Sequence, residues 1–209
     1  MSKAGLWTVA TLVLVAVLVG AFLSELRDPP QAGAPNGLPA AAELTQDPAD
    51  LAQARQAADL PPCPAGQGPG PAALRGVSAS CAADGAAVDV AQSLAGRPVL
   101  LNLWAYWCGP CADELPALVE YQQRMGERVL VVTVHQDPNE EAALDRLAEW
   151  GVRLPTLQDG DRRIAAALKV PNVMPATVLI GSDGSVTEVL PRAFVSADEI
   201  AEAVGDRLR

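Results

Sequence analysis

Residues 98–105, "PVLLNLWA", are a continuous apolar run of strand length, the pattern of a strand buried on both faces, and Leu103 and Trp104 within it are expected to face the core. "RVLVVTV" at 128–134 is a second strand of the same kind, and a helix is predicted between them at about 109–125. "DPNEEAALDRLAEW" (137–150) has the texture of a well-capped helix, followed by a short strand near 153–157 and a helix near 161–168. "PATVLIGSDGSVTEVL" (175–190) predicts a hairpin whose turn contains Asp183-Gly184. Ser196 and Glu199 form a capping box that opens a last helix running to about Arg209. Upstream, "VSASCAADGAAVDVAQSLAG" (77–96) predicts a short strand, an Asp84-Gly85 turn and a helical turn near 89–94. The order β-α-β-α-(β-α)-β-β-α implies an α/β fold, a central mixed sheet flanked by helices on both faces, and no internal repeat is visible.

The N-terminal third has a different texture. No residue from Ala4 to Leu23 is charged. Twenty helical residues span about 30 Å, the thickness of a bilayer core. A cleaved signal has a shorter apolar region and a small-residue cleavage site, to which "VGA" at 19–21 is a poor match. Residues 1–27 are therefore expected to be an uncleaved signal anchor, a transmembrane helix, with a cleaved signal peptide or a buried core helix as the alternatives. Lys3 and the α-amine precede the span, which keeps the N-terminus in the cytoplasm and the C-terminal domain extracytoplasmic, a single-pass cell-membrane protein. Residues 28–62 read as a Pro/Ala-rich linker carrying one short helix at about 48–59. Asp47 is its N-cap, Pro48 suits its first position, and Pro61-Pro62 stop it. Leu51, Ala54 and Ala58 share a face that can dock on the domain, which occupies 63–209 with its own N-terminal extension.

Composition narrows the chemistry. A formal charge of −10 with no Lys/Arg cluster argues against nucleic acid as a partner. Four cysteines fit two pairs in an oxidising compartment, and a single histidine argues against a histidine-rich metal site.

The chemistry concentrates at 107–111, "WCGPC". Cys108 is placed at the end of a buried strand and the start of a helix, where free backbone N–H groups and the helix dipole favour its thiolate. Cys111 lies one turn on, close enough to close a small disulfide ring. Gly109 and Pro110 separate the two, and Pro110 fits the first helical turn at no hydrogen-bond cost. Trp107 and Tyr106 supply an apolar shoulder that can shield Cys111 and meet a partner. A zinc site needs about four ligands; Cys63 and Cys81 have the wrong spacing to complete one, so no metal is expected. An inert staple is the other bland reading, and a redox couple is the favoured one.

"NLWAYWCGPCADELPAL" (102–118) resembles the active site of thioredoxin-fold proteins, especially the membrane-anchored TlpA/ResA-like thiol–disulfide oxidoreductases, over roughly residues 77–209. Glu114 and Pro116 after the cysteines sharpen the likeness to that branch, and "MPATVLI" (174–180) resembles its cis-proline loop. The resemblance implies that Cys108 attacks and Cys111 resolves, and that Pro175 is cis, laying the Met174 backbone beside Cys108 for an extended substrate. Pro116 should kink the helix. Glu114, if partly buried, gains a raised pKa and can relay the resolving cysteine's proton, the alternative being a solvated helix residue or an ion-pair partner. Two departures stand out: Asn102 holds the place of the acidic residue of cytosolic thioredoxins, and "VPNVMP" (170–175) has no glycine before the proline.

Cys63 and Cys81 flank a Pro/Gly-rich loop and are read as a structural disulfide, with a second redox couple as the alternative. His135 ends a strand and reads as a satisfied or exposed residue rather than a catalytic one. The expected function is extracytoplasmic thiol–disulfide exchange, in the reducing direction, on the disulfides of exported proteins such as apocytochromes c. The resemblance implies a membrane electron donor of the CcdA/DsbD type and no cofactor beyond the redox-active disulfide. A disulfide oxidase or isomerase is the alternative, and a surface binding module with a vestigial motif is the alternative of another class. A peroxidase of the peroxiredoxin kind is disfavoured, because no Thr-x-x-Cys motif occurs.

Overall fold

The computed structural model describes residues 46–68 and 70–208. The expected anchor at 1–27 and the linker up to residue 45 lie outside the described residues, among which no helix is long and apolar enough to cross a membrane.

Seven strands form one mixed sheet: β1 (Ser78–Cys81), β2 (Ala87–Asp89), β3 (Val99–Trp104), β4 (Leu130–His135), β5 (Thr156–Gln158), β6 (Ala176–Ile180) and β7 (Val186–Leu190), in the order β2-β1-β5-β4-β3-β6-β7. β3, β4 and β5 run parallel, and the outer pairs are antiparallel. All six residues of β3 and of β4 are buried, as their unbroken apolar character predicts. Alternation splits them between two cores. Leu100, Trp104, Val131 and Leu179 pack under α3 (Gly109–Met125), α4 (Glu140–Glu149) and α6 (Ala197–Val204). Val99, Leu101, Leu103, Val132 and Val178 pack on the other face under α2 (Val90–Ser93) and α5 (Arg163–Ala167). The α/β class and the helices on both faces are as expected.

Several boundaries move for local reasons. β2 was not anticipated; it pairs with β1 across the Asp84-Gly85 turn, and its three residues, exposed at both ends and half-buried in the middle, carry too little pattern to announce it. α4 begins at Glu140 rather than 137, because Asn139 caps it by accepting from Ala142 N–H at 3.1 Å. β5 covers 156–158, not 153–157. α6 stops at Val204, where Gly205 takes a left-handed φ of 46° and ends the helix. α3 runs through Pro116 without interruption.

The predicted helix upstream of the domain forms as α1 (Pro48–Ala58), with Asp47 accepting from Ala49 N–H at 2.8 Å. Its Ala54 and Ala58 are buried with Leu144 of α4, and Leu51 packs beside them. Arg55 of α1 pairs with Glu140 at 2.9 Å in a mostly buried contact. Two further contacts follow down the chain: Leu60 packs on the core, and Cys63 is bonded to Cys81 at the end of β1.

Closing a loop of this length stabilises by about 3 kcal/mol in the chain-entropy account. Replacing both Cys63 and Cys81 by Ala should lower the urea midpoint correspondingly, and mild reduction of the native chain should release two thiols, those of Cys108 and Cys111, before the other two. Four thiols appearing together, with an unmoved midpoint, would remove the structural reading.

Candidate active site

β3 ends at Trp104, and Ala105 to Trp107 form the turn that starts α3. Cys108 is the N-cap of α3, with extended backbone (φ −81°, ψ 105°). Its carbonyl accepts from Cys111 N–H at 3.1 Å, no side chain caps the helix, and the helix dipole favours a negative charge on its sulfur. Cys108 and Cys111 are joined as a disulfide, with Cα atoms 5.3 Å apart. They are not equivalent: Cys108 is 6% exposed and Cys111 is 0% exposed, packed in the core with Leu115 and Leu118. Gly109 and Pro110 are exposed beside them. Only Cys108 can therefore be met by a partner's sulfur while the fold stays closed.

Trp107 is 58% exposed, an indole spread on the surface. Its Nε1–H donates to Asp137 Oδ2 at 3.0 Å. Met174 is half-buried against the cluster that holds both cysteines, as is Tyr106. The Met174–Pro175 peptide is cis, as the resemblance implied. Ala176 follows at once and pairs with Leu103, which brings this loop to the same end of the sheet as the cysteines.

Glu114 is fully buried. Asn102 Nδ2 donates to its Oε2 at 2.7 Å, and Phe194 N–H donates to its Oε1 at 3.2 Å. Asn102 also donates to Thr177 Oγ1 at 3.3 Å. Burial disfavours the carboxylate more than these donors and Arg192 favour it, and the pKa rises to about 7. The expected raised pKa is thus present. Asn102, the departure from the thioredoxin pattern, faces Glu114 across the core: the acid has moved from the strand to the helix, and an amide has taken the strand position. The solvated-residue reading of Glu114 does not fit its burial.

Three contributors were not singled out in the sequence. Asp137 lies at the start of the range predicted as helix, and it holds the Trp107 indole. Phe194 closes over Glu114 from the β7–α6 connection, where Arg192 stacks on its ring at 4.2 Å and pairs with Glu199. Thr177 lies in an ordinary strand. Their partners are 30 to 80 residues away, so no local pattern marks them. His135 is fully buried and bonded, in line with the satisfied rather than the exposed reading. Among the described residues, no group of three or more His, Cys, Asp or Glu side chains is placed to hold a metal ion.

The sequence profile of the redoxin family matches residues 62–204. The chain belongs to the redoxin family. Within it, the chain is similar to the thiol–disulfide oxidoreductase ResA of Bacillus subtilis, 33% identical over 100 residues, which are 47% of this chain and 55% of ResA. Against ResA of Bacillus anthracis the identity is 30% over 98 residues, 46% of this chain and 56% of that protein. This redoxin thus spans little more than half the length of the ResA proteins it matches. Among solved structures it is similar to MTB DsbF (TM-score 0.58, 27% identity, 66% of this chain and 98% of that one). A secreted Mycobacterium tuberculosis disulfide oxidoreductase homologous to E. coli DsbE is comparable (TM-score 0.56, 27% identity, 64% and 97%). The fold is thioredoxin-like, of the TlpA/ResA kind.

The buried carboxyl leaves a signature in stability. Between its ordinary value of 4.5 and about 7, the folded redoxin holds on Glu114 a proton that the unfolded chain has released. Stability contributed by this group is therefore lost as pH rises through that window, by about 3 kcal/mol in all. Urea melts at pH 5 and pH 8 should show Glu114→Gln gaining relative to the native chain by about that amount at the higher pH. Parallel pH curves for the two proteins would show that Glu114 is not the titrating group.

Proposed function

We propose that this redoxin is an extracytoplasmic thiol–disulfide oxidoreductase that reduces disulfides of exported proteins, of the kind needed to keep apocytochrome c thiols reduced. The observation that carries the reading is the inequality of the two sulfurs: Cys108 reaches the surface at a helix N-terminus, while Cys111 is sealed in the core one turn from a protonatable carboxyl.

In the reduced state the Cys108 thiolate attacks one sulfur of a partner disulfide. That S–S bond breaks, a mixed disulfide forms, and the partner's other sulfur leaves as a thiolate that takes a proton from water. Cys111 then loses its proton to Glu114 and attacks the Cys108 sulfur. The partner's second thiolate departs and takes up a proton, Glu114 gives its own back to the solvent, and the Cys108–Cys111 bond closes. Two electrons have moved to the partner, whose two cysteines end as thiols. A carboxyl with a pKa of about 7 is suited to that transfer, since it accepts and returns a proton near neutral pH. Trp107, Met174 and the Pro175 turn form the apolar rim against which an extended partner segment can lie. Resetting the couple calls for a dithiol donor, and a membrane protein of the CcdA/DsbD type fits that role. The electrons reside on the cysteines, and no further cofactor is needed.

The apolar stretch from Ala4 to Leu23 supports a membrane anchor with the domain outside, and the Cys63–Cys81 bond suits an oxidising compartment. An oxidase or isomerase would run the same steps in the other direction, and the potential separates them. The full chain, equilibrated in defined thiol/disulfide buffers, should give a value for the Cys108–Cys111 couple near or below about −250 mV. A value of about −120 to −180 mV would reverse the direction of electron flow. A Cys108→Ser chain that still supports its host's function would leave the binding-module reading in place of the enzyme.

A further inference from the structure

His135 is the sole histidine of the chain, and the exchange steps make no use of it. It ends β4, fully buried, with its ring 4.9 Å from that of Trp104 and 6.0 Å from that of Tyr106. Its hydrogen bonds fix the proton's place. Gln158 Nε2 donates to the Asp137 carbonyl at 2.7 Å, so the other end of that amide, Oε1, faces His135 Nδ1 at 2.8 Å as an acceptor. Nδ1 must then carry the hydrogen. Nε2 is left with its lone pair, and it accepts from the backbone N–H of Tyr106 at 3.4 Å. Tyr106 is two residues before Cys108, in the turn that Asp137 also grips through the Trp107 indole.

We propose that His135, held as the neutral Nδ1–H tautomer, is a positioning residue for the redox centre: its Nε2 lone pair anchors the turn that sets Cys108 on the N-terminus of α3, and protonation of that nitrogen releases the turn. The inference deepens the exchange reading and rests on it for its purpose, though not for its geometry. Protonated at Nε2, the ring would turn an N–H against the Tyr106 N–H inside the core, and two donors with no acceptor between them cannot both stay buried. Burial lowers the His135 pKa, against the opposing pull of the Gln158 bond and the Asp137 charge, so the neutral form persists through neutral pH. The ionisable groups that face the ring are Asp137 and the Tyr106 phenol.

Because the chain holds one histidine, a long-range 15N–1H spectrum of the labelled full chain contains one imidazole. At pH 7 its Nδ1 should be the protonated nitrogen, the tautomer that free histidine disfavours; an Nε2–H tautomer or a mixture overturns the proposal. Reactivity supplies the second readout. Iodoacetamide alkylation of Cys108 in the reduced protein should be about tenfold slower at pH 6 in His135→Phe, as a thiolate displaced from the helix N-terminus gains about one pKa unit. His135→Gln keeps an acceptor for Tyr106 and should stay within about twofold of the native rate at neutral pH. Below neutrality the native profile should steepen to a two-proton dependence, whereas His135→Gln stays at one. Equal rates and equal slopes in all three proteins overturn the proposal. So do Phe and Gln variants slowed alike, because then the acceptor is not what matters. Should His135→Phe fail to fold, the tautomer and the slope of His135→Gln still decide. Alkylation needs neither a partner nor a direction of electron flow, so an oxidising potential would sink the reductase reading and leave this one standing.

Discussion

β3 is buried on both faces, and the first place where its chain can meet a partner is the turn after Trp104. That constraint shapes the site. A strand with no solvent-facing residue fixes the position of its end, because shifting it would carry a whole row of Leu and Val side chains into the wrong core. The turn that carries Cys108 therefore leaves from a point fixed by the packing of the sheet. α3 starts just beyond, so the rigid strand end and the positive end of the helix dipole lie on either side of one short turn. The same junction explains the inequality of the cysteines. One turn into a helix that lies on the sheet, a side chain points down, and Cys111 enters the core with Leu115 and Leu118.

A polar residue in a buried strand needs partners, and Asn102, the polar residue in β3, finds them for its Nδ2 while its Oδ1 has none among the described residues. It meets Glu114 of α3 and Thr177 of β6, so strand, helix and the neighbouring strand share one polar cluster below the disulfide. A second carboxylate at position 102 would have placed two acids in contact in a low-dielectric core. With an amide there, Glu114 keeps a pKa near neutrality, set mainly by burial and moderated by two donors. Phe194 donates its backbone N–H to the carboxyl from the β7–α6 connection, so that connection shares in the enclosure with the helix that carries Glu114.

Much of this was legible in the sequence, because the signals were local. The apolar runs of β3 and β4, the Asp183-Gly184 turn, the Ser196 cap and the Cys-Gly-Pro-Cys spacing each act within a few residues, and each appears where its chemistry requires. The turn at Gly184, with φ of 81°, takes the conformation that glycine supplies there. What stayed hidden was the long-range bonding. Asp137 reads as the start of a helix until Trp107 is seen on it, and Gln158 has no visible task until His135 and the Asp137 carbonyl face it. β2 was lost for the opposite reason: three residues with an exposed–half-buried–exposed pattern give no period to detect. Element boundaries failed where the cap lay inside the predicted range, as with Asn139 in the helix expected from 137.

The two disulfides show how the same bond takes different parts in one chain. Cys108 lies at a helix N-terminus that stabilises its thiolate, which makes its sulfur both a ready nucleophile and a good leaving group. Cys63 lies outside any helix or strand and Cys81 at the end of β1, so neither stands at a helix N-terminus as Cys108 does. Breaking that bond releases a cross-link that joins the α1 segment to the sheet. Reduction there gains no helix dipole and loses a closed loop, whereas reduction at 108–111 gains the helix and loses a ring of four residues. Helix position and loop length thus push the two couples in opposite directions, as the proposed division into a fixed bridge and a working one requires.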